Sequence, residues 1–281
     1  MSTARMATCA VALFILGLFL SKNGPNHGKG KPVNSTVALA ASPSLAVDPD
    51  AVGDLTGRFI FDGQVPLPRF ISPAMPRTGR KLKDESVLVF GKDQAVANII
   101  VYMYPTTAIE RQPTYFYQPP VAIAIYKGRM IPRAVCVQSS QQVIVANGDD
   151  QTCELRIDES DIAPDTTIEA YNSVTLTLHR QNNNHPGFLR GIYPSWLQCF
   201  MLVSDNPYAA TTDGDGRFTI KNIPVGKWQF AVAHARLKIR KVIIDGGPTE
   251  WHHSRFPLTI HSGVNSVGTV ELPSESLPES G

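Results

Sequence analysis

Charge is scarce in this chain: Asp, Glu, Lys and Arg make up 18 % of its 281 residues, and the formal net charge is only +2. So weak a balance excludes the basic footprint that nucleic acid as a partner requires. Sustained heptads and long amphipathic helical windows are missing as well, which excludes coiled coils and helix bundles. There is no G-x-S-x-G elbow, no Walker loop, no dinucleotide fingerprint, and no H-x-x-x-H or H-E-x-x-H pair. Acyl-transfer, nucleotide and zinc-protease chemistries therefore have no carrier, and the chain reads as no enzyme. Cysteine is sparse, with four in all. Cys9 lies in the N-terminal apolar run, and Cys136, Cys153 and Cys199 are too few for a closed disulfide framework. They allow one bridge plus a thiol, or three thiols.

What is plentiful is turn chemistry, in 21 glycines and 22 prolines set in a chain that is 43 % hydrophobic. Arg5 precedes an apolar run from Met6 to Leu20, short for a membrane span of roughly 20 residues and suited to an export signal. Residues 1–22 are thus expected to be a signal peptide or, uncleaved, an N-terminal anchor, the only membrane contact foreseen. Export points to the periplasm, cell envelope or extracellular space. Residues 23–53, rich in Asn, Gly, Pro, Ser and Ala without period, read as a disordered linker.

Beyond the linker the signal is strand after strand. DLTGRFIFDG alternates from Asp54, and Ala95 to Tyr104 is so continuously apolar that it should be central. VAIAIYKGRMIPRAVCVQSSQQVIVANGDD reads as several strands around a Lys127-Gly128 turn. YNSVTLTLHR places Val174, Leu176 and Leu178 on one face, and WLQCFMLV reads as a buried strand. TTDGDGRFTIKNI, KWQFAVAH and KIRKVIID follow, then HSRFPLTIHSGVNSVGTVEL. The expected class is all-β, with strands at sandwich spacing. Expected segments are N-terminal strands packing on the sandwich over 54–118, a central domain over 119–206, further sandwich strands over 207–272, and a frayed tail over 273–281.

GRFIFDGQVP, DESVLVFGKDQAVANIIVYMY, IPRAVCVQSSQQVIVANGDD and MLVSDNPYAATTDGDGRFTIKNIPVGKWQFAVAH together resemble a family of exported bacterial cupredoxin-like proteins, often labelled methylamine-utilisation-like. DGDGRFTIKNIPVGKW is also similar to carboxypeptidase-regulatory-type β-sandwiches, a fold group shared with carbohydrate-binding modules. The resemblance implies a cupredoxin-like Greek-key barrel combined with a regulatory-like sandwich. It also implies copper ligands that this sequence does not supply. Asn147-Gly148-Asp149 matches the family's N-x-D stretch, and the ligand His then falls on Cys153. The later Cys, His and Met fall on Gly191, Pro194 and Leu197 while Trp196 matches; an alternative gap puts the Cys at Arg190. An upstream Cys and His fall on Arg129 and Arg133. Imidazole, thiolate and thioether are what copper takes, so no cofactor and no metal site are expected. Cys153, His179 and His185 are the residual metal candidates. Because the two ligand loops of the family lie side by side, the resemblance makes a Cys153–Cys199 disulfide one reading of the cysteines, with two free buried thiols as the other.

Other constellations have bland readings. Asp213-Gly214-Asp215-Gly216 lacks the further oxygen ligands of a calcium loop and reads as a tight turn. His252 and His253, as neighbours on a strand, are expected on opposite faces. The acidic run Asp158 to Asp161 reads as a solvated loop. Tyr102, Tyr104, Tyr115 to Tyr117 and Tyr193 are expected in a β core, or exposed where rings stack on sugars; Trp196, Trp228 and Trp251 are the stacking candidates. Three functions follow as expectations. The first is a non-catalytic binding or architectural protein of the cell envelope, partnered by an envelope protein or glycan. The second is a carbohydrate-binding module. The third is a copper electron-transfer protein with unrecognised ligands.

Overall fold

The computed structural model describes residues 51–64, 70–71, 82–83, 91–105, 118–157, 165–179 and 185–277. The expected signal, the linker up to residue 50 and tail residues 278–281 lie outside the described residues, as do residues 158–161 and 115–117. The remaining ends are corrected: Val52 and Gly53 of the expected linker begin a strand, and of the expected frayed tail Pro273 ends a strand while Ser274–Ser276 form a 3-10 turn with Ser276 buried. Within the described residues the regular structure is strand throughout, apart from three-residue 3-10 turns. None of their helices is long and apolar enough to cross a membrane.

Four sheets carry the fold. Sheet I runs Arg217–Pro224, Val52–Asp62, Gly263–Pro273, Lys241–Ile244 and Gly247–Glu250; sheet II runs Ala209–Thr211, Ile100–Met103, Gly226–Ala233 and Arg255–Ile260. Sheet III runs Thr166–Ile168, Cys153–Ile157, Gly187–Tyr193, Gln198–Ser204 and Ala134–Gln138; sheet IV runs Ser173–Thr177, Gln142–Asn147, Val121–Ile125 and Met130–Ile131. Most neighbours are antiparallel. The exceptions are Val52–Asp62 beside Gly263–Pro273, Gln198–Ser204 beside Ala134–Gln138, and Val121–Ile125 beside Gln142–Asn147.

Side-chain alternation stacks these sheets in the order I, II, III, IV. Leu55, Phe59, Phe218, Ile220 and Leu272 of sheet I meet Val101, Met103, Phe230, Val232 and Ile260 of sheet II. Ile123, Ile125, Val143 and Val145 of sheet IV meet Leu155, Leu189, Cys199 and Met201 of sheet III. A third layer joins the two sandwiches, with Ile100, Tyr102 and Ala231 of sheet II on Ala134, Phe200 and Leu202 of sheet III. Small alanines and large aromatic rings share this junction, the combination that fills space between two sheets.

This layering explains why Ile100–Met103 is buried on both faces. Ile99, Val101 and Met103 enter one core while Ile100 and Tyr102 enter the junction. The same holds for Gln198–Ser204, whose odd and even residues serve different layers. A strand covered on both faces needs no polar positions, so Ile100 to Met103 and Cys199 to Val203 are continuous apolar runs. Ser173–Thr177 is the contrast. Val174, Leu176 and the following Leu178 face the core while Ser173, Thr175 and Thr177 face solvent.

The two sandwiches interleave along the chain. Val52–Asp62 pairs with strands on both sides in sheet I, and Ile100–Met103 does so in sheet II. The early strands are therefore integral to the sandwich completed by residues 209–273, rather than packed on it. The sandwich of residues 121–204 is inserted between them.

Candidate functional site

One end of the inserted sandwich gathers four turns. They lie at residues 126–129, 147–152, 169–172 and 193–198, between strands of sheets III and IV. Asn147 organises this end. Buried, it donates its side-chain amide to the carbonyls of Gln151 (2.7 Å), Glu169 (3.1 Å) and Ile168 (3.3 Å) and accepts the amide of Asp149. The Asp149 carboxylate reaches the neighbouring turn, accepting the amides of Lys127 (2.5 Å) and Gly128 (2.7 Å). Trp196 pins the last turn by donating its indole N–H to the Gly128 carbonyl at 3.2 Å. Asn and Asp side chains that bond backbone in this way hold turns in place.

The residues that the family resemblance aligns with copper ligands are built into the packing here. Gly191 is buried, and its amide donates to the Leu197 carbonyl (2.8 Å), while the Leu197 amide donates to the Pro194 carbonyl (3.2 Å). A Cβ at Gly191 would collide with the Pro194 carbonyl oxygen. Leu197 is buried in the apolar core, as is Cys153. Burial and the nearby negative charge of Asp149 push the Cys153 thiol up to about 11, disfavouring the thiolate a soft metal needs. His179 is exposed, with Nδ1 3.2 Å from the Ser140 hydroxyl. His185 is also exposed and lies against Tyr104, ring centroids 6.4 Å apart. Cys153, His179 and His185 do not converge; among the described residues no three His, Cys, Asp or Glu side chains are grouped to hold a metal ion. Among the described residues, Cys153, His179 and His185 do not form a donor set for a copper centre.

Of the two readings of the cysteines, a Cys153–Cys199 bridge or free thiols, the structure has the second: Cys136, Cys153 and Cys199 are all free thiols. Leu189 lies opposite both Ile157 and Cys199, so Cys153 sits four residues along and two strands across from Cys199. That offset is on the order of 15 Å between Cα atoms, against about 4.4–6.8 Å for a disulfide. Burial drives the Cys199 thiol up to about 12, and burial with the neighbouring Cys199 does the same to Cys136.

The tryptophans are likewise committed to packing. Trp251 is 3 % exposed and stacks on Phe256 (4.4 Å) with its edge to Phe59. Trp228 packs on the first core and donates to the Pro224 carbonyl at 2.6 Å. Trp196 rests against the second core. His252 and His253 are not on a strand: they sit in a 3-10 turn with rings 4.3 Å apart, on one side rather than opposite faces. The Asp213–Gly216 segment is a turn in which Asp213 accepts the amides of Asp215 and Arg217, and Gly216 takes φ +73.

Among the described Phe, Tyr and Trp rings, the exposed ones are tyrosines. Tyr126, Tyr171 and Tyr193 are 50 %, 74 % and 58 % exposed, and all three stand at the turn-bearing end. Beside Tyr193 an open groove of about 460 Å³ is lined by Gln151, Thr152, Glu154 and Thr167. Tyr126 and Tyr171 carry a signal that could have singled them out: each adjoins a turn, Lys127-Gly128 or Asn172, that turns a ring outward.

No family model matches the chain, and no curated protein matches it. Among solved structures it is similar to amicyanin from Paracoccus versutus, at 11 % identity over 37 % of this chain and 97 % of that one, TM-score 0.27. It is also similar to a purple cupredoxin from Nitrosopumilus maritimus, at 10 % identity over 30 % of this chain and 99 % of that one, TM-score 0.26. A copper-containing nitrite reductase from Thermus scotoductus is a third, at 9 % identity, TM-score 0.26, covering 35 % of this chain but 27 % of that one. The structural neighbours are thus cupredoxins, and the likeness extends to about a third of the chain.

Proposed function

We propose that this chain is an exported, non-catalytic binding or architectural protein of the cell envelope, whose cupredoxin-like sandwich does not use copper. One observation carries the reading: Gly191, Pro194, Leu197 and Cys153 occupy the aligned ligand positions as packing elements. A scaffold held by three apolar layers keeps its shape without a metal, so its loops are open to another use. The apolar start of the sequence supports export, and the absence of recognised catalytic motifs supports a binding role. The partner is an envelope protein or glycan.

The test is incubation of the full chain with Cu(I) and Cu(II), followed by metal analysis and visible spectroscopy. A colourless protein that retains no stoichiometric copper is expected. A thiolate-to-copper absorption band would sink the proposal.

A further inference from the structure

We infer that the turn-bearing end of the inserted sandwich is a binding site for uncharged, hydroxyl-rich saccharides, centred on the groove between Tyr193 and the Gln151–Glu154 segment. This rests on the reading of the chain as a binding protein and names the class of ligand. Tyr193 stands in the groove wall with more than half its surface in solvent, and its register partner across the sheet is Glu154. An exposed ring beside hydrogen-bonding groups offers an apolar face to sugar C–H bonds and polar partners to sugar hydroxyls.

The polar wall is rich in acceptors. The side-chain carbonyl oxygen of Gln151 is buried and accepts no hydrogen bond among the described residues, but burial puts it out of reach of a ligand in the groove. The polar groups such a ligand meets are the Thr152 and Thr167 hydroxyls and the Glu154 carboxylate. Glu169 stands alongside, one oxygen already taken by the Thr152 hydroxyl at 2.8 Å. A ligand that fits must bring donors without bringing negative charge, which favours neutral polyols over uronic acids or phosphates. Tyr171 continues the surface: it is two residues beyond Glu169, and its amide donates to the Asp149 carbonyl. Asp149 in turn holds the turn beside Tyr126. The three exposed rings are thus tied to one frame of hydrogen-bonded turns, as a preorganised site requires. The groove volume suits one or two sugar rings.

The full chain is to be applied to a printed panel of neutral oligosaccharides, with polygalacturonate fragments and spermine as acidic and cationic arms, and the best neutral binder titrated by calorimetry. Retention of one or more neutral oligosaccharides is expected, with no retention of polygalacturonate. Tyr193→Ala should weaken binding about tenfold, whereas Tyr193→Phe, which keeps the ring face, should stay within about threefold. Both variants should melt with the parent protein because the side chain is exposed. Binding of spermine alone, of polygalacturonate alone or of nothing overturns the assignment, as does unchanged affinity in Tyr193→Ala. A copper band in the metal test overturns the copper-free reading and leaves saccharide retention to be judged separately.

Discussion

The amide of Gly191 donates to the carbonyl of Leu197 across 2.8 Å, closing the loop between two central strands of sheet III on its own backbone. That bond ties together two of the positions where the resemblance aligns metal-binding side chains. Restoring a ligand at Gly191 meets the Pro194 carbonyl before it meets any metal. Gly191→Cys and Gly191→Ala are expected to destabilise the protein by about 1–3 kcal/mol, the usual range for an overpacked site. Urea denaturation measures this; an unchanged midpoint in both variants would show that the loop has room.

His234 gives the fold a pH dependence. It is buried at the junction, its Nδ1 accepting the amides of Arg236 and Leu237 at 3.2 Å each, which requires the neutral ring. Burial, assisted by the Arg236 charge, holds its pKa down to about 4. Between about 4 and the ordinary 6.5 the unfolded chain therefore binds a proton that the folded chain refuses. Stability from this group is complete above about pH 6.5 and is lost as the pH falls through about 4, by roughly 3 kcal/mol in total. Denaturation midpoints across that window should slope accordingly, and H234Q should flatten the slope.

The thiols should be silent. With Cys136 and Cys199 pushed up to about 12 and Cys153 to about 11, alkylation of the native protein at pH 8 is expected to leave all three unmodified by peptide mass mapping. Unfolding should expose them together. Thermal midpoints with and without reductant should coincide, since Cys136, Cys153 and Cys199 form no disulfide whose loss would cost the typical 2–5 kcal/mol.

Phe200 tests the junction between the sandwiches. Its ring is 7 % exposed and packs on Phe188 at 5.1 Å within the layer joining sheets II and III. Phe200→Ala should cost about 3–5 kcal/mol. Because the lost contact lies between two cores rather than inside one, calorimetry should show the single transition of the parent splitting in two. Loss of stability without splitting would mean that the sandwiches unfold as one unit whatever joins them.

Much of this molecule could be read in one dimension. The alternation of Val174, Leu176 and Leu178 with polar residues is a local consequence of Cβ geometry, so it survives into the structure unchanged. The apolar stretches ending at Met103 and Val203 were legible as a central and a buried strand, because strands covered on both faces carry few polar residues. Cys153 and Cys199 were not legible as separated thiols, because strand register and the intervening Gly187–Tyr193 strand set their distance. Nor could the rings be sorted. Trp251 and Tyr193 look equally suited to stacking in sequence, yet one is buried and the other lines a groove.

Strand content, turn positions and the lack of copper-ligand side chains at the aligned positions were determined by the sequence alone. Each depends on residue type and short-range spacing. Only the tertiary structure decided that Val52–Asp62 and Ile100–Met103 complete a sandwich interrupted by residues 121–204. It alone set the four sheets in one stack and left Tyr126, Tyr171 and Tyr193 exposed at one end. Which face of a strand is covered, and by what, is a property of residues far apart in the chain, and no local period encodes it.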